Sequence, residues 1–291
     1  MKTKILLFGL VFSYFAFTSC TSDSDSSTST VTADDVAANQ TMDNSIDDVS
    51  LIAEDQYEVS EGSTTGKIEG NYYSIRPDCA TISDLGSTTT VRVYTITFGT
   101  STTACLFRGH LLKGQIILTR TIGTTFPKTM TVTFNNFYIN NNKLEGTSTW
   151  KREMIDAGTV NARPKTTFTM TNMTLTTTAG VYTRNGERVR EMTAGFSTRT
   201  SPTDDVFSTT GTFTTTFPNG SVYTSLIQTP LVHKTACSLL QTPMPFPVSG
   251  ILKLSKNDHY ATIDYGTGDC DNLAMRSIDG GTATQITLGN N

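Results

Sequence analysis

Hydrophobic and polar residues alternate with a period of two along most of the chain after residue 70. In the segment 129–134, Met130, Val132 and Phe134 alternate with three threonines, and the segment 91–98 alternates similarly. Successive side chains of a β-strand point to opposite faces of its sheet. The pattern therefore predicts strands with an apolar face and a threonine-rich face.

Turn-forming residues separate these segments, at Asn140-Asn141-Asn142, Asn185-Gly186, Asn219-Gly220, Asn257-Asp258 and Asp279-Gly280. Such short turns join neighbouring antiparallel strands, and the chain offers no helices for parallel crossovers. We therefore expect an all-β domain over 67–291, an antiparallel meander of ten or more strands. Because twist accumulates with each strand, the sheet must curl into a half-barrel, barrel or sandwich.

A helical period precedes the strands. Between Thr41 and Gln56, apolar residues recur at helical spacing, and Asp43 can cap the first turn: the apolar positions are Ile46, Val49, Ile52 and Ala53. This predicts one short helix within 41–66 that packs a thin apolar stripe on the β domain. A helix that binds a partner protein is the alternative.

The N-terminus has the pattern of an export signal. Lys2 and Lys4 precede an apolar run from Ile5 to Phe17, which is too short to span a membrane. The following Thr18-Ser19-Cys20 is similar to the lipobox of bacterial lipoproteins. We expect residues 1–19 to be removed and Cys20 to be acylated, which anchors the protein to a membrane. An ordinary signal peptide with an unmodified cysteine is the alternative.

Charge is distributed unevenly. The formal net charge is -4, yet the segment 21–66 holds eleven acidic residues and no Lys or Arg. Beyond the leader, the rest of the chain has twenty bases and fifteen acids, an excess too small and scattered to predict nucleic-acid binding. The Ser-, Thr- and Asp-rich start of the segment predicts a flexible tether over 20–40. Acidic residues close to Cys20 also resemble the surface-export signals of Bacteroidota lipoproteins.

A strand-turn-strand unit occurs twice. The segment 95–100, followed by Cys105, is repeated as 262–267, followed by Cys270. Cys79 and Cys237 precede the two copies. Among the three connectivities that four cysteines allow, the repeat favours disulfides Cys79–Cys105 and Cys237–Cys270.

Together these features resemble those of uncharacterised β-rich surface lipoproteins of Bacteroidota. The resemblance rests on the lipobox, the acidic tether, the paired cysteine units and the segments 133–140, 144–147, 261–266 and 270–272. It implies an outer-membrane location, facing outward, and a β architecture. It implies no activity.

One loop carries the densest set of carboxylates in the β domain. Asp264, Asp269 and Asp271 are separated by glycines and could supply oxygen ligands to Ca²⁺. The spacing fits no EF-hand, and Asp and Gly are ordinary turn residues, so a structural turn is the favoured interpretation. No other cofactor is expected.

Motifs for catalysis are absent from the sequence. His110, His233 and His259 are isolated, and Glu145 with Glu153 is a pair of acids without diagnostic spacing. Aromatic residues that could stack on sugars are expected to fill the β core instead: Trp150, Tyr72, Tyr73 and Tyr138. Three arginines flank the Asn185-Gly186 turn and predict a solvated hairpin with weak ion pairs: Arg184, Arg188 and Arg190.

The leading hypothesis is therefore a non-catalytic lipoprotein that binds a glycan or protein partner or has a structural role. A half-barrel carrier of an apolar ligand is the second hypothesis and requires an apolar concave face. A surface glycan hydrolase is the third and requires a histidine or glutamate with an aligned partner in a cleft.

Overall fold

A computed structural model describes residues 30–65, 74–99, 103–198 and 201–289. The predicted export signal, Cys20, Tyr72 and Tyr73 lie outside these ranges. The described helices are α1 (Ala33–Thr65) and α2 (Thr235–Ser238), and a 3-10 turn spans Pro202–Asp204. The first seven strands are β1 (Ala80–Ser83), β2 (Val91–Phe98), β3 (Cys105–Phe107), β4 (His110–Thr121), β5 (Lys128–Ile139), β6 (Asn142–Ile155) and β7 (Arg163–Thr177). The others are β8 (Gly180–Ala194), β9 (Val206–Thr216), β10 (Val222–Lys234), β11 (Ser249–Lys256), β12 (His259–Thr267), β13 (Leu273–Ile278) and β14 (Thr284–Thr287).

The strands form one antiparallel sheet in which neighbours in sequence pair with each other. Its order runs from β1 to β14 without a crossover, and β3 pairs with β4 at the side of this path. The edges do not meet, so the sheet is open and curled. The predicted all-β meander with an N-terminal helix is thereby confirmed.

Alternation along the strands also agrees with the prediction. In β9, Phe213 and Thr215 are buried between exposed threonines, and in β5 Met130 and Val132 are buried. The inward side chains form a hydrophobic core that extends across the sheet and includes residues of α1. Four of the five predicted turns join consecutive strands, whereas Asn185-Gly186 does not.

Asn185-Gly186 lies inside β8, so the predicted hairpin turn is wrong. Gly186 has a φ of +141°, and a Cβ built there would lie 2.5 Å from the Cα of Phe213 on β9. The Asn185 side chain accepts a hydrogen bond of 2.8 Å from the backbone N–H of Asn172 in β7. Although both residues are common in turns, here Gly186 lets β8 and β9 approach closely, and Asn185 binds β7 where its pairing with β8 is irregular.

Similar irregularities recur across the sheet and account for its curl. Register shifts occur between β4 and β5 at Lys113/Gln115, and between β6 and β7 at Glu145/Thr147. At Gly114, with a φ of +85°, an added Cβ would lie 1.8 Å from a backbone oxygen of the facing strand. Bulges of this kind bend a strand and increase its twist, and their repetition bends the whole sheet.

Helix α1 lies against the concave face of this sheet. It contacts residues from the β3–β4 turn to β10 by hydrogen bonds, and it shares a small cavity with residues of β11 to β14. Only a sheet that curves around the helix can bring strands from both ends to it. None of the described helices is apolar over a length that would cross a membrane.

Helix α1 is longer than predicted and begins within the predicted tether. Thr32 and Asp35 form a reciprocal capping box, in which each side chain accepts a hydrogen bond from the other residue's backbone N–H (3.1 and 2.8 Å). Asp43, the predicted cap, lies buried in the middle of the helix. The predicted apolar stripe at Ile46, Val49, Ile52 and Ala53 is buried as expected.

Both predicted disulfides are present. Cys79 and Cys105 have an S–S distance of 2.06 Å and join the residue before β1 to β3. Cys237 and Cys270 have an S–S distance of 1.95 Å and join α2 to the loop after β12. Each closes a loop of some thirty residues, which stabilises a fold by roughly 3 to 4 kcal/mol in the chain-entropy description.

Candidate functional site: a cationic cavity between helix and sheet

The surface between α1 and the sheet is polar as well as apolar. Seven polar or charged residues of α1 are buried: Asn39, Asp43, Ser45, Asp48, Asp55, Gln56 and Ser60. A helix that is polar on so much of its circumference cannot be held by apolar contacts alone, and its carboxylates require buried partners. Arginines on the inward face of the sheet are prominent among these partners.

Strand β8 supplies three of these arginines. Arg184 donates to Asp43 and, at 2.7 Å, to Asn39, and its Nε donates to Thr215 at 2.9 Å. Arg188 donates to Asp43 and Asp47, each at 2.5 Å. These contacts follow one line along the helix, because residues four apart share a face.

The line of ion pairs continues toward the C-terminal end of α1. Arg190 contacts Glu54 at 3.1 Å, and Arg152 on β6 contacts Glu58. Arg188 and Arg184 also lie over the ring of Phe213, at 4.7 and 4.2 Å from its centroid. The prediction of a solvated β8 hairpin is therefore wrong: Arg184 and Arg188 are buried, Arg190 is largely covered, and all three attach α1 to the sheet.

A cavity of about 550 Å³ remains between α1, the segment 74–78, the β3–β4 turn, the inner strands and the loop after α2. Its apolar wall includes Ile46, Leu51, Ile75, Phe107, Phe168, Met170 and Phe246. Its polar wall includes Arg108, Arg188, Arg190 and His233. The volume lies within the range of small-molecule sites, about 300 to 1,000 Å³.

Arg108 closes one side of the cavity. It donates to Asp48 of α1 at 3.5 Å, to the Ser238 hydroxyl at 3.0 Å and to the carbonyl oxygen of Pro245 at 3.2 Å. The same side chain thus joins the β3–β4 turn, the helix and the loop after α2. Burial lowers the pKa of Arg108, and Asp48 opposes this change.

The three histidines have different environments. His110 is hydrogen-bonded to Asp48, which raises its pKa above the usual 6.5, although burial opposes the shift. His233 lines the cavity, and burial and the nearby arginines lower its pKa well below 6.5. His259 bonds Asp279 at 2.8 Å beside a surface turn.

The candidate residues for hydrolysis are not brought together with aligned partners in this cavity. His110 has an acidic partner but is not among the residues that line the cavity, and the Nδ1 atom of His233, which lines it, has no hydrogen-bond partner. Glu145 and Glu153 are eight residues apart on β6, about 26 Å at 3.3 Å per residue. Glycosidase carboxylates lie within about 10 Å of each other.

The candidate calcium loop has ordinary turn contacts. Asp264 accepts a hydrogen bond from the N–H of Gly266 at 2.9 Å, and Asp271 accepts one from Leu273 at 3.0 Å. In the described part of the chain no three His, Cys, Asp or Glu side chains are placed to share a metal ion, so Asp264, Asp269 and Asp271 are not assembled as ligands. Trp150 packs edge-on against Phe168 in the core, with 4.5 Å between centroids.

Sequence reasoning missed the cavity and its arginines. The uneven distribution of charge could have indicated these ion pairs, because the acidic segment 21–66 precedes a weakly basic β domain with which it can pair. Comparison with known proteins gives no match to a family model, a curated protein or a solved structure.

Proposed function

We propose that this protein is a lipid-anchored lipoprotein of the outer membrane, facing the cell surface, that binds a small ligand without converting it. The observation that carries the binding role is the cavity of about 550 Å³ between α1 and the concave face. Its mixed apolar and polar wall is typical of small-molecule sites. The proposed anchor rests on the sequence around Cys20.

The binding of a small ligand is favoured over that of a large one. Helix α1 covers the concave face along the core, with Met42 and Ala53 fully buried. A glycan chain or a protein partner would therefore have to use the outer face. A purely apolar cargo, as the carrier hypothesis requires, would leave the unpaired Nε donors of the cavity arginines without an acceptor.

A cavity-filling substitution tests the proposed function. Ser50 on α1 lines the cavity, so Ser50→Trp should occupy the space, while Ser50→Ala should leave it open. The neutral fluorescent probe N-phenyl-1-naphthylamine should bind the mature chain (residues 20–291, with Cys20→Ser to prevent acylation) saturably at one site. We expect Ser50→Trp to reduce this affinity at least tenfold and Ser50→Ala to preserve it.

Circular dichroism should confirm that both variants fold. The proposed binding role would be wrong if the folded wild-type chain bound neither this probe nor its anionic analogue, or if the Trp and Ala variants bound equally well.

A further inference from the structure

More cationic than anionic side chains line the cavity. Five cationic side chains line it and only two carboxylates do: Arg76, Arg108, Arg188, Arg190 and Lys234, against Asp47 and Asp78. Further carboxylates behind the wall, Asp43, Asp48 and Glu54, pair with arginines from the helix side. The face that a ligand would meet is therefore cationic.

The arginines of the cavity wall have unused hydrogen-bond donors. The Nε atoms of Arg108, Arg188 and Arg190 are buried and have no acceptor. Arg184 lies on β8 with Arg188 and Arg190 but does not line the cavity. In contrast to them, it uses its Nε, Nη1 and Nη2 atoms in hydrogen bonds. An unpaired buried donor costs free energy, so the unused donors of three arginines that line one cavity indicate a place for an acceptor.

His233 adds a polar group to the same wall. Its Nδ1 atom is buried without a partner, and Arg190 and Arg108 are among the charges that act on its ring. The imidazole is neutral at pH 7, so it can donate one hydrogen bond to a ligand without adding another buried charge.

Apolar side chains line the cavity beside the arginines, and Phe168 is the cross-strand neighbour of Arg188. Phe168 and Met170 of β7 are 5% and 3% exposed, and Phe107 is equally buried. Ile46 and Leu51 of α1 complete this surface. A ligand that satisfies both parts of the wall has an apolar body and an anionic end.

We propose that the ligand is a small amphiphilic organic anion whose acidic group binds Arg108, Arg190 and His233 and whose apolar body contacts Phe168 and Met170. This inference rests on the proposed binding function and specifies its ligand class. Arginine binds carboxylate, sulfonate and phosphate oxygens through two parallel N–H donors, which explains the choice of residue. Binding through the Nε donors requires the arginine side chains to rotate, because these atoms are buried in the described structure.

Two fluorescent probes that differ by one anionic group test the ligand class. 1-Anilinonaphthalene-8-sulfonate carries a sulfonate on the same aromatic skeleton as the neutral N-phenyl-1-naphthylamine. At pH 7 the wild-type mature chain should bind the anionic probe at least tenfold more tightly. Decanoate should displace it at lower concentration than decanol does, whereas inorganic sulfate should not displace it at millimolar concentration.

Variants identify the residue responsible. Arg108→Gln should weaken binding of the anionic probe at least fivefold and leave the neutral probe nearly unchanged. Arg108→Lys should restore part of the affinity, and Arg163→Gln should have no effect, because Arg163 lies on the β6–β7 hairpin away from the cavity lining.

The two proposals fail in different ways. Equal affinity for both probes, together with equal displacement by decanoate and decanol, would overturn the anionic ligand while leaving a binding cavity. Displacement of the anionic probe by millimolar inorganic sulfate would indicate a simple anion site and would also overturn the proposal of an amphiphilic ligand. The absence of saturable binding of either probe would reject the binding function itself.

Discussion

Arg184 carries a positive charge at a position that solvent does not reach, since its side chain is 0% exposed. Burial lowers its pKa to about 10, and Asp43 opposes this shift. The guanidinium thus remains charged at neutral pH and depends on Asp43, Asn39 and Thr215 for its hydrogen bonds. Such a pair links specific positions of α1 and β8, whereas apolar contacts would permit the helix to slide.

Removing Arg184 should therefore destabilise the protein. We expect Arg184→Met to lower the free energy of unfolding by about 3 kcal/mol, the low end for breaking a buried ion pair, because Asp43 keeps Arg188 as a partner. Arg163→Met removes an arginine that is 31% exposed and should cost much less, because exposed ion pairs contribute little to stability. Urea unfolding followed by circular dichroism measures both, and equal losses would contradict the buried pairing.

The pair of His110 and Asp48 makes stability depend on pH. Because the folded pKa of His110 is raised above 6.5, its stabilisation is fully present below pH 6.5 and is lost as pH rises through the folded pKa. Urea unfolding of wild type and His110→Gln between pH 5.5 and 9 should show a stability difference that shrinks toward high pH. A difference that stays constant would rule out this role.

His233 has the opposite dependence but does not obscure the comparison. Its pKa is lowered, so its neutral form stabilises the fold above pH 6.5, and this contribution is lost as pH falls below that value. Wild type and His110→Gln both contain His233, so its effect cancels in their difference.

The residues that the sequence identified correctly are those whose partners are close in sequence or repeated. The cysteine pairs followed from the internal repeat, and the two sequence separations are 26 and 33. The partners of Arg184 lie 141 and 145 residues away, at Asp43 and Asn39. No local pattern distinguishes such a buried arginine from one on a solvated hairpin.

At the level of elements, α1 differs from an ordinary amphipathic helix. Its apolar stripe was predictable, because Ile46, Val49 and Ile52 recur with helical spacing. Its full length and the burial of Asn39 and Asp43 were not, because polar residues predict a buried face only when their partners are known. Asn39, which falls within the predicted tether, is one of the residues that attach the helix to the sheet.

For the strands, local sequence predicted most turns correctly but also predicted one turn that is not present. Hairpin turns at Asn219-Gly220 and Asn257-Asp258 were predictable from local chemistry. Asn185-Gly186 has the same chemistry but lies in mid-strand, because a sheet that bends sharply also needs glycine where strands approach closely. The predicted half-barrel, barrel and sandwich could not be distinguished without these positions.

Substitution at one such glycine tests how the sheet bends. Gly114→Ala should lower the free energy of unfolding by more than about 1 kcal/mol, because its φ is +85° and the new Cβ would clash with the backbone of β5. Gly123→Ala has no neighbour within 4 Å and should change stability by less than about 1 kcal/mol. Thermal unfolding of both variants measures the contrast, and similar melting temperatures would count against the bulge as the source of curvature.

For the whole molecule, acidic and basic residues are separated along the chain but combined in space. The acidic segment contributes Asp43, Asp47 and Glu54 to a sheet whose inner face is basic. Each of these carboxylates lies next to an arginine of β8, so opposite charges are paired locally. The described fold begins at residue 30, so a short stretch separates it from the proposed anchor at Cys20.

Membrane attachment is tested at Cys20. When the wild-type protein is expressed in a bacterial host, labelled palmitate should be incorporated into it. Cys20→Ser should abolish the label and release the protein from the membrane fraction. Cys79→Ser is the matched control and should retain the label, because Cys79 forms a disulfide with Cys105. A Cys20→Ser variant that is still labelled or still sediments with membranes would exclude the anchor.

The early position of α1 in the chain also has a kinetic consequence. The helix leaves the ribosome before any of its β8 partners, which follow 136 to 145 residues later. Until then its acidic residues have no buried arginines to meet, and closing so long a loop is entropically costly. Docking of the helix must therefore wait for more than half of the chain, which is compatible with the proposed export of the protein in an unfolded state.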